Sequence, residues 1–442
     1  MQKLNLTSNK LTSSRFLAAL QYPDYRTLWT VNLSSGAAAW ALIVARGWLI
    51  WEMTDSSLYV GLVTFLAMVP RVLIPPFTGY LADRFDRRHV MSSMFALNLV
   101  HNFILAGLIF LGEVAMWQVM VLAFINGSAR AAQMPVGQAL LPNLVPKRLL
   151  LNAVALSQAT MHGSRLFGPL IICPLLVTVG IEWAFLLCTV FYAISLIQTL
   201  RIKTFSTGKI DQTRSFIQNF IEGVPYVYKH PQLSAIVLMA FFHCGFTMSF
   251  ESVLPVLSVS QLGANQGCDF SLLMMSIGAG ALISVITLSG IESEPTKGRL
   301  FLNLGLISGM APIILAFSVN MPMAIIGAVT MGASQAGYMT LTHTMIQSVT
   351  ADTIRGRVGA IYSVHIGGIM AAMNLANGAL SEQAFLNINL FRGILTLSPA
   401  STMLTIGGIT FAVVVFFSWS LKPLRNIYRE GIPDHQIEQN SV

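Results

Sequence analysis

Gly79-Tyr80-Leu81-Ala82-Asp83-Arg84-Phe85-Asp86-Arg87-Arg88 packs five charged side chains into ten residues between two long apolar runs. The runs on both sides are long enough to cross a bilayer as helices. Charge at membrane depth is costly, so the turn must lie at the membrane surface as a short hinge between two spans.

Composition extends that reading to the whole chain. Of 442 residues, 54% are hydrophobic and only 10% charged, and the mean hydropathy is +0.67. This balance excludes an ordinary soluble domain and indicates a multi-pass membrane protein. Runs of roughly twenty apolar residues start near Leu28, Leu58, His89, Met116, Asn152, Glu182, Leu233, Phe270, Leu300, Met321, Val358 and Pro399. They predict about twelve helices. The polar residues before Leu28 make the first run a span and not a cleaved signal.

The net charge of +8 raises nucleic acid as a partner, but the placement of the basic residues removes the need for it. Most of the 26 lysines and arginines fall in alternate segments on one side. The opposite loops hold Arg392, and Arg46, Arg71, Arg130 and Arg165 fall inside helices. By the positive-inside rule both termini are expected in the cytoplasm, with the chain integral to the inner membrane.

Gly79 followed by Asp83-Arg84 and the paired arginines resembles the signature turn between helices two and three of the major facilitator superfamily. The tail Asp83-Arg84-Phe85-Asp86-Arg87-Arg88 is similar to the variant in its drug, macrolide and siderophore exporters, with Asp86 where most members carry a second glycine. The stretch from Met134 to Pro146, then Asn152-Ala153 and Gly168-Pro169, resembles enterobactin exporter-like carriers. Gly168-Pro169 matches the core of the helix-five antiporter motif. The glycine pair that normally follows is Ile172-Cys173 here, which predicts looser packing on that face. Arg355-Gly356-Arg357-Val358, at the start of helix eleven, also resembles the exporter group.

The resemblance implies an all-α membrane fold: twelve helices in two six-helix bundles related by a pseudo-two-fold axis. The expected division is a tail over 1–27, a first bundle over 28–204, a linker over 205–231, a second bundle over 232–421 and a tail over 422–442. Phe216, Phe220, Ile221 and Val224 recur at helical spacing and predict a short amphipathic helix in the linker.

Two groups of residues carry the functional expectation. Asp83 is placed to dock on the amide end of helix eleven near Arg355 and Arg357, a latch that Gly79, Arg84, Arg87 and Arg88 would complete. The alternative is that these arginines are topogenic charges facing anionic lipid. The second group is at membrane depth. Asn126, Arg130 and Gln133 form a polar stripe on helix four; His162 and Arg165 share a face of helix five; His343 and Gln347 lie on helix ten. His243, Thr247 and Glu251 follow at i, i+4 and i+8 on helix seven, which makes Glu251 the expected proton carrier, unless it sits solvated at the outer mouth. Arg46 joins them from helix one, where Ser35-Gly36-Ala37-Ala38 lacks the acid common in such exporters.

Cys173, Cys188, Cys244 and Cys268 have no metal or redox spacing, so neither a metal nor a disulfide is expected. No phosphate-cradling glycine loop is present. The sequence therefore predicts no enzyme and no cofactor, only a proton gradient. It predicts a monomeric carrier in the lipid bilayer that exports a small amphipathic organic molecule, a drug-like compound or siderophore, by proton antiport. Import or proton-independent facilitation of a small organic anion is the alternative, and a non-transporting membrane enzyme or sensor the remote one.

Overall fold

The computed structural model describes residues 15–74, 85–206, 224–264, 266–291, 293–350, 354–390 and 395–431. Among the described residues, six α-helices form the first half: α1 (Pro23–Thr54), α2 (Ser57–Leu73), α3 (Arg87–Phe110), α4 (Met116–Leu140), α5 (Leu150–Thr178) and α6 (Ile181–Arg201). The second half holds α7 (Pro231–Phe246), α8 (Gly267–Leu288), α9 (Glu294–Ala316), α10 (Met321–Val349), α11 (Arg355–Leu380) and α12 (Pro399–Ser418). Eight of the twelve are long and apolar enough to cross a membrane; α2 and α7 are shorter apolar helices, and α4 and α10 are long but more polar.

Helix starts follow from local chemistry. α1 begins at Pro23, ahead of the apolar run at Leu28, because proline suits the first helical position and Asp24 complements the positive helix end. Asp86 caps α3 by accepting from Arg88 N at 3.1 Å, and Asn320 caps α10 by accepting from Met323 N at 3.0 Å. Pro70 falls where α2 changes course, between the helical stretches Ser57–Met68 and Pro70–Leu73. The linker positions Phe216, Phe220 and Ile221 lie outside the described residues, as do Pro75 and Pro76.

Two findings add to the sequence reading. The last segment, assigned to a tail, starts as a helix, α13 (Lys422–Glu430), which buries Leu424 and Ile427 against α9. Beyond α11, β1 (Ile388–Leu390) pairs antiparallel with β2 (Leu395–Leu397), with Ile388 opposite Leu397.

Within the first half α1 packs on α5 and α6, and α3 on α4 and α6. Within the second, α10 packs on α8 and α9, and α9 on α12. The halves meet along two seams, α2 with α11 and α5 with α8. Both seams reach the end of the bundle remote from the start of α1 and the end of α12. We call this the far end, and the opposite one the terminal end.

Glycines bring backbone to backbone in these seams. A Cβ on Gly378 would stand 2.5 Å from Ser57 O, and one on Gly278 would stand 2.7 Å from Arg165 O. Ser57 Oγ donates to Gly378 O at 2.9 Å, and Ser271 Oγ to Pro169 O at 2.6 Å. The expectation of looser packing after Gly168-Pro169 is thus corrected: Ile172 is fully buried, and Gly168 brings α5 against the backbone of α1 at Ala37. The cysteine expectation is corrected as well. Cys173 on α5 and Cys268 on α8 form a disulfide across the two halves, while Cys188 and Cys244 are free and buried. The two are 95 positions apart in sequence, and the α5–α8 seam brings them together.

A candidate coupling site at the break in the seventh helix

The apolar run after Leu233 does not form one continuous helix. α7 stops at Phe246, and the chain resumes as the short helix Leu254–Ser260. Side chains from two other helices hold the intervening segment. Gln335 Nε2 on α10 donates to Thr247 O at 2.7 Å, and Asn377 Nδ2 on α11 donates to Ser249 O at 2.7 Å. Asn374 Oδ1 accepts from Ser252 N at 3.1 Å. Backbone groups freed by a break at membrane depth need partners, and three amide side chains provide them.

This break corrects the reading of His243, Thr247 and Glu251 as one helical stripe. His243 is fully buried within the second half, where Nε2 is 2.8 Å from Ser308 Oγ and the ring packs on Tyr338 and Phe411 at 4.4 and 5.0 Å. Glu251 sits in the non-helical segment itself and is half-buried. There it lies within electrostatic reach of Arg46 on α1, Arg71 on α2 and Arg165 on α5. One carboxylate of the second half thus lies within electrostatic reach of three arginines of the first.

Aromatic faces complete this cluster. The Arg165 guanidinium lies 4.8 Å from the Trp40 ring centre and 5.6 Å from that of Phe250; Arg130 on α4 lies 5.8 Å from Trp40. Arg46 and Arg165 are buried, and Arg46 Nη1, Arg165 Nε and Gln133 Nε2 have no hydrogen-bond partner. A cation at the centre of a span costs about 3 kcal/mol or more unless it is paired or faces water. Four arginines, two of them with unspent donors, can bind oxyanions, and the Trp40 and Phe250 rings can bind a flat apolar body.

Other expected members go elsewhere. Asn126 is buried inside the first half, donating to Asn98 Oδ1 at 2.8 Å, because the α4 face it occupies turns toward α3. His162, half-buried, stays one turn from Arg165 and within its electrostatic reach. His343 packs edge-on to Tyr362 at 5.0 Å, and Gln347 is exposed one turn beyond it. Sequence reasoning misses Asn374, Asn377, Gln335 and Trp40. Asn374 and Asn377, polar at i and i+3 in an otherwise apolar stretch of α11, carry the available signal.

The opening turn lies partly outside the described residues: Gly79, Asp83 and Arg84 do, as does the side chain of Arg355. Arg357 is half-buried in the first turn of α11. Arg87 and Arg88 both bond the segment that follows α6. Arg88 Nε donates to Asp86 Oδ2 at 2.7 Å and Arg88 Nη1 to Ile202 O at 2.7 Å, closing the end of α6. Arg87 Nη1 donates to Ser206 Oγ at 3.1 Å. Burial pushes the Asp86 carboxyl up, but the hydrogen bonds and charge of Arg88 outweigh it and hold its pKa below the ordinary carboxylate value. Asp24 at the start of α1 binds the same segment, accepting from Thr204 N at 2.8 Å.

Comparison with known proteins agrees with this architecture. The chain is 24% identical to macrolide efflux protein A of Streptococcus pyogenes over 365 residues, covering 79% of this chain and 88% of that one. It is 21% identical to the staphyloferrin A transporter of Staphylococcus aureus over 331 residues, covering 75% and 83%. It is 24% identical to the enterobactin exporter EntS of Shigella boydii, covering 77% and 81%. Among solved structures, the nucleoside transporter NupG superposes with a TM-score of 0.71 at 9% identity, covering 90% of this chain and 99% of that one. The human organic anion transporter MFSD10 superposes with a TM-score of 0.64 at 13% identity, covering 90% and 99%. The family model described as transmembrane secretion effector matches residues 14–421, so the chain belongs to that family of major facilitator superfamily transporters, an integral membrane carrier and not an enzyme.

Proposed function

We propose that this transporter exports a small amphipathic organic molecule, a drug-like compound or siderophore, by alternating access of two six-helix bundles, and that proton antiport drives it through Glu251. The observation that carries the reading is the position of Glu251 in the unwound segment of α7, facing arginines of the opposite half. A carboxylate there can trade its arginine partners for a proton as the halves move, and substrate oxyanions can take those partners in turn. The domains are the two bundles over 28–204 and 232–421, joined by the linker over 205–231. The terminal end faces the cytoplasm, as the basic residues indicate. The carrier works as a monomer and needs no cofactor.

The absent acid in Ser35-Gly36-Ala37-Ala38 favours a second reading, import or proton-independent facilitation of a small organic anion. One experiment separates the two. In inside-out vesicles, uptake of drug-like cations and of catechol or hydroxamate siderophores is measured with and without a proton gradient, for the native chain and Glu251→Gln. Antiport through Glu251 predicts gradient-dependent accumulation that falls at least about tenfold in the variant, a loss of about 1.4 kcal/mol or more. Accumulation indifferent to the gradient, or equal in the variant, favours the second reading.

A further inference from the structure

Three sulfurs of the second half converge where α7 breaks. Cys244 Sγ, in the last turn of α7, lies 3.9 Å from Met248 Sδ, one turn on, and 3.9 Å from Met339 Sδ of α10. Tyr362 Oη on α11 lies 3.9 Å from the same Met339 sulfur. Cys244 is fully buried, whereas Met248 and Met339 are half-buried, so the group has an open side. Its frame is set by the bonds that hold the break. Ser249 Oγ donates to Cys244 O at 2.8 Å, and Gln335, one turn before Met339 on α10, donates to Thr247 O at 2.7 Å.

Hydrogen bonding alone does not use these sulfurs fully. One thiol hydrogen can point at only one of the two thioethers, and a thioether is a weak acceptor. A metal ion uses all three. Held about 2.3 Å from each sulfur, the ordinary metal–thiolate distance, at trigonal or tetrahedral angles, it sets its ligand sulfurs roughly 3.8 to 4.0 Å apart. Cys244 already keeps that separation from both methionines. Thioether and thiolate ligands together select a soft ion. Charge then selects its valence: a thiolate and a monovalent ion sum to zero, whereas a divalent ion would leave a net positive charge at membrane depth, which is costly. Among the described residues no three His, Cys, Asp or Glu side chains gather to hold a metal, so harder ions have no comparable seat among them.

We propose that Cys244, Met248 and Met339 form a binding site for a soft monovalent metal ion, Cu(I) or Ag(I). On binding, the Cys244 S–H bond breaks, the sulfur bonds the ion and the proton leaves to water; no electron is transferred. The bound ion ties the end of α7 to α10 beside the break. The site does not depend on the organic substrate or on Glu251, so its failure would leave the transport reading untouched.

The test uses purified full-length protein in detergent micelles, under argon and without thiol reductants, so that the Cys173–Cys268 bond stays intact. Cu(I), added as its acetonitrile complex, is partitioned between the protein and bathocuproine disulfonate, a coloured Cu(I) chelator. A single ion per chain should be retained, with sulfur neighbours at about 2.3 Å by X-ray absorption. Its affinity should rise about tenfold per pH unit between about pH 6 and 8, as one proton is released. Cys244→Ser should abolish retention. Met248→Leu and Met339→Leu, swaps of similar volume that a core tolerates, should each weaken it at least tenfold. Cys188→Ala, which removes the other free thiol, should leave it unchanged. No retained ion, an affinity indifferent to pH, unchanged affinity in either methionine variant or loss in Cys188→Ala overturns the proposal and leaves the three sulfurs as packing alone.

Discussion

Along the α2–α11 and α5–α8 seams the halves approach with backbone against backbone, Gly378 on Ser57 and Gly278 on Arg165, and at the far end a disulfide joins Cys173 to Cys268. Ser56 and Leu58 N also bond Glu382 there, across the same boundary. Among the described residues of the terminal end, Asp24, Arg87 and Arg88 bind the segment from Ile202 to Ser206. Close-packed, non-ionic contact suits a surface that closes to one fixed geometry, since small residues allow near approach without side-chain entropy. Ionic contacts within a half stiffen that half as a rigid body and leave its boundary with the other free to change. The structure is thus closed at the far end, the arrangement from which a carrier loads at the terminal end.

The largest expected effect comes from prising the far seam apart. Gly278→Leu would drive a side chain into the backbone of Arg165 and Leu166, atoms 2.7 Å from its Cβ that cannot swing aside. Transport should fall more than about tenfold, while thiol reagents added from the far side label cysteines introduced along α5 and α8 faster than in the parent. Unchanged labelling with unchanged transport would mean that the seam does not close during the cycle.

The disulfide offers a gentler version of the same test. Halves joined by a covalent bond at one end cannot separate there, so the bonded form should be held closed at the far end. A membrane-impermeant phosphine reductant on that side should raise transport by the native chain several-fold and leave Cys173→Ser unaffected. Equal rates before and after reduction would show that the bond spans a contact that stays shut throughout.

These seams are unevenly legible in the sequence. Every apolar run corresponds to a helix of the structure, because span length and hydropathy are set by the bilayer and need no tertiary knowledge. The break after Phe246 is not readable by periodicity: Val253, Leu254, Val256 and Leu257 continue the apolar run, and only Thr247, Ser249 and Ser252 hint at backbone needing partners. Glu251 stands out by its rarity, but the i, i+4, i+8 argument that places it beside His243 assumes a helix that is absent. The partners of the arginines are illegible for a similar reason. Charge counting puts Arg87 and Arg88 at the surface, but their partners, Ile202 and Ser206, come from a segment far along the chain that no local pattern links to them.

The smallest effect should come from the terminal end, where Asp86→Asn isolates charge from capping. Asparagine still accepts from Arg88 N, so the helix start survives, but the ion pair with Arg88 is lost. At pH 7 the loss should be about 1 kcal/mol, a drop in Tm of roughly 2 °C, because Asp86 is buried and Arg88 only partly so. The folded pKa of Asp86 lies below its unfolded value, so its contribution is present in full above the unfolded pKa of about 4. It is lost as pH falls through the lowered folded value. The Tm gap between the native chain and the variant should therefore hold from pH 7 to about pH 5 and close below about pH 4. A gap that persists undiminished in acid would assign the difference to altered packing around the substituted side chain and not to charge, and with it would fall the contrast between an ionic terminal end and a non-ionic far seam.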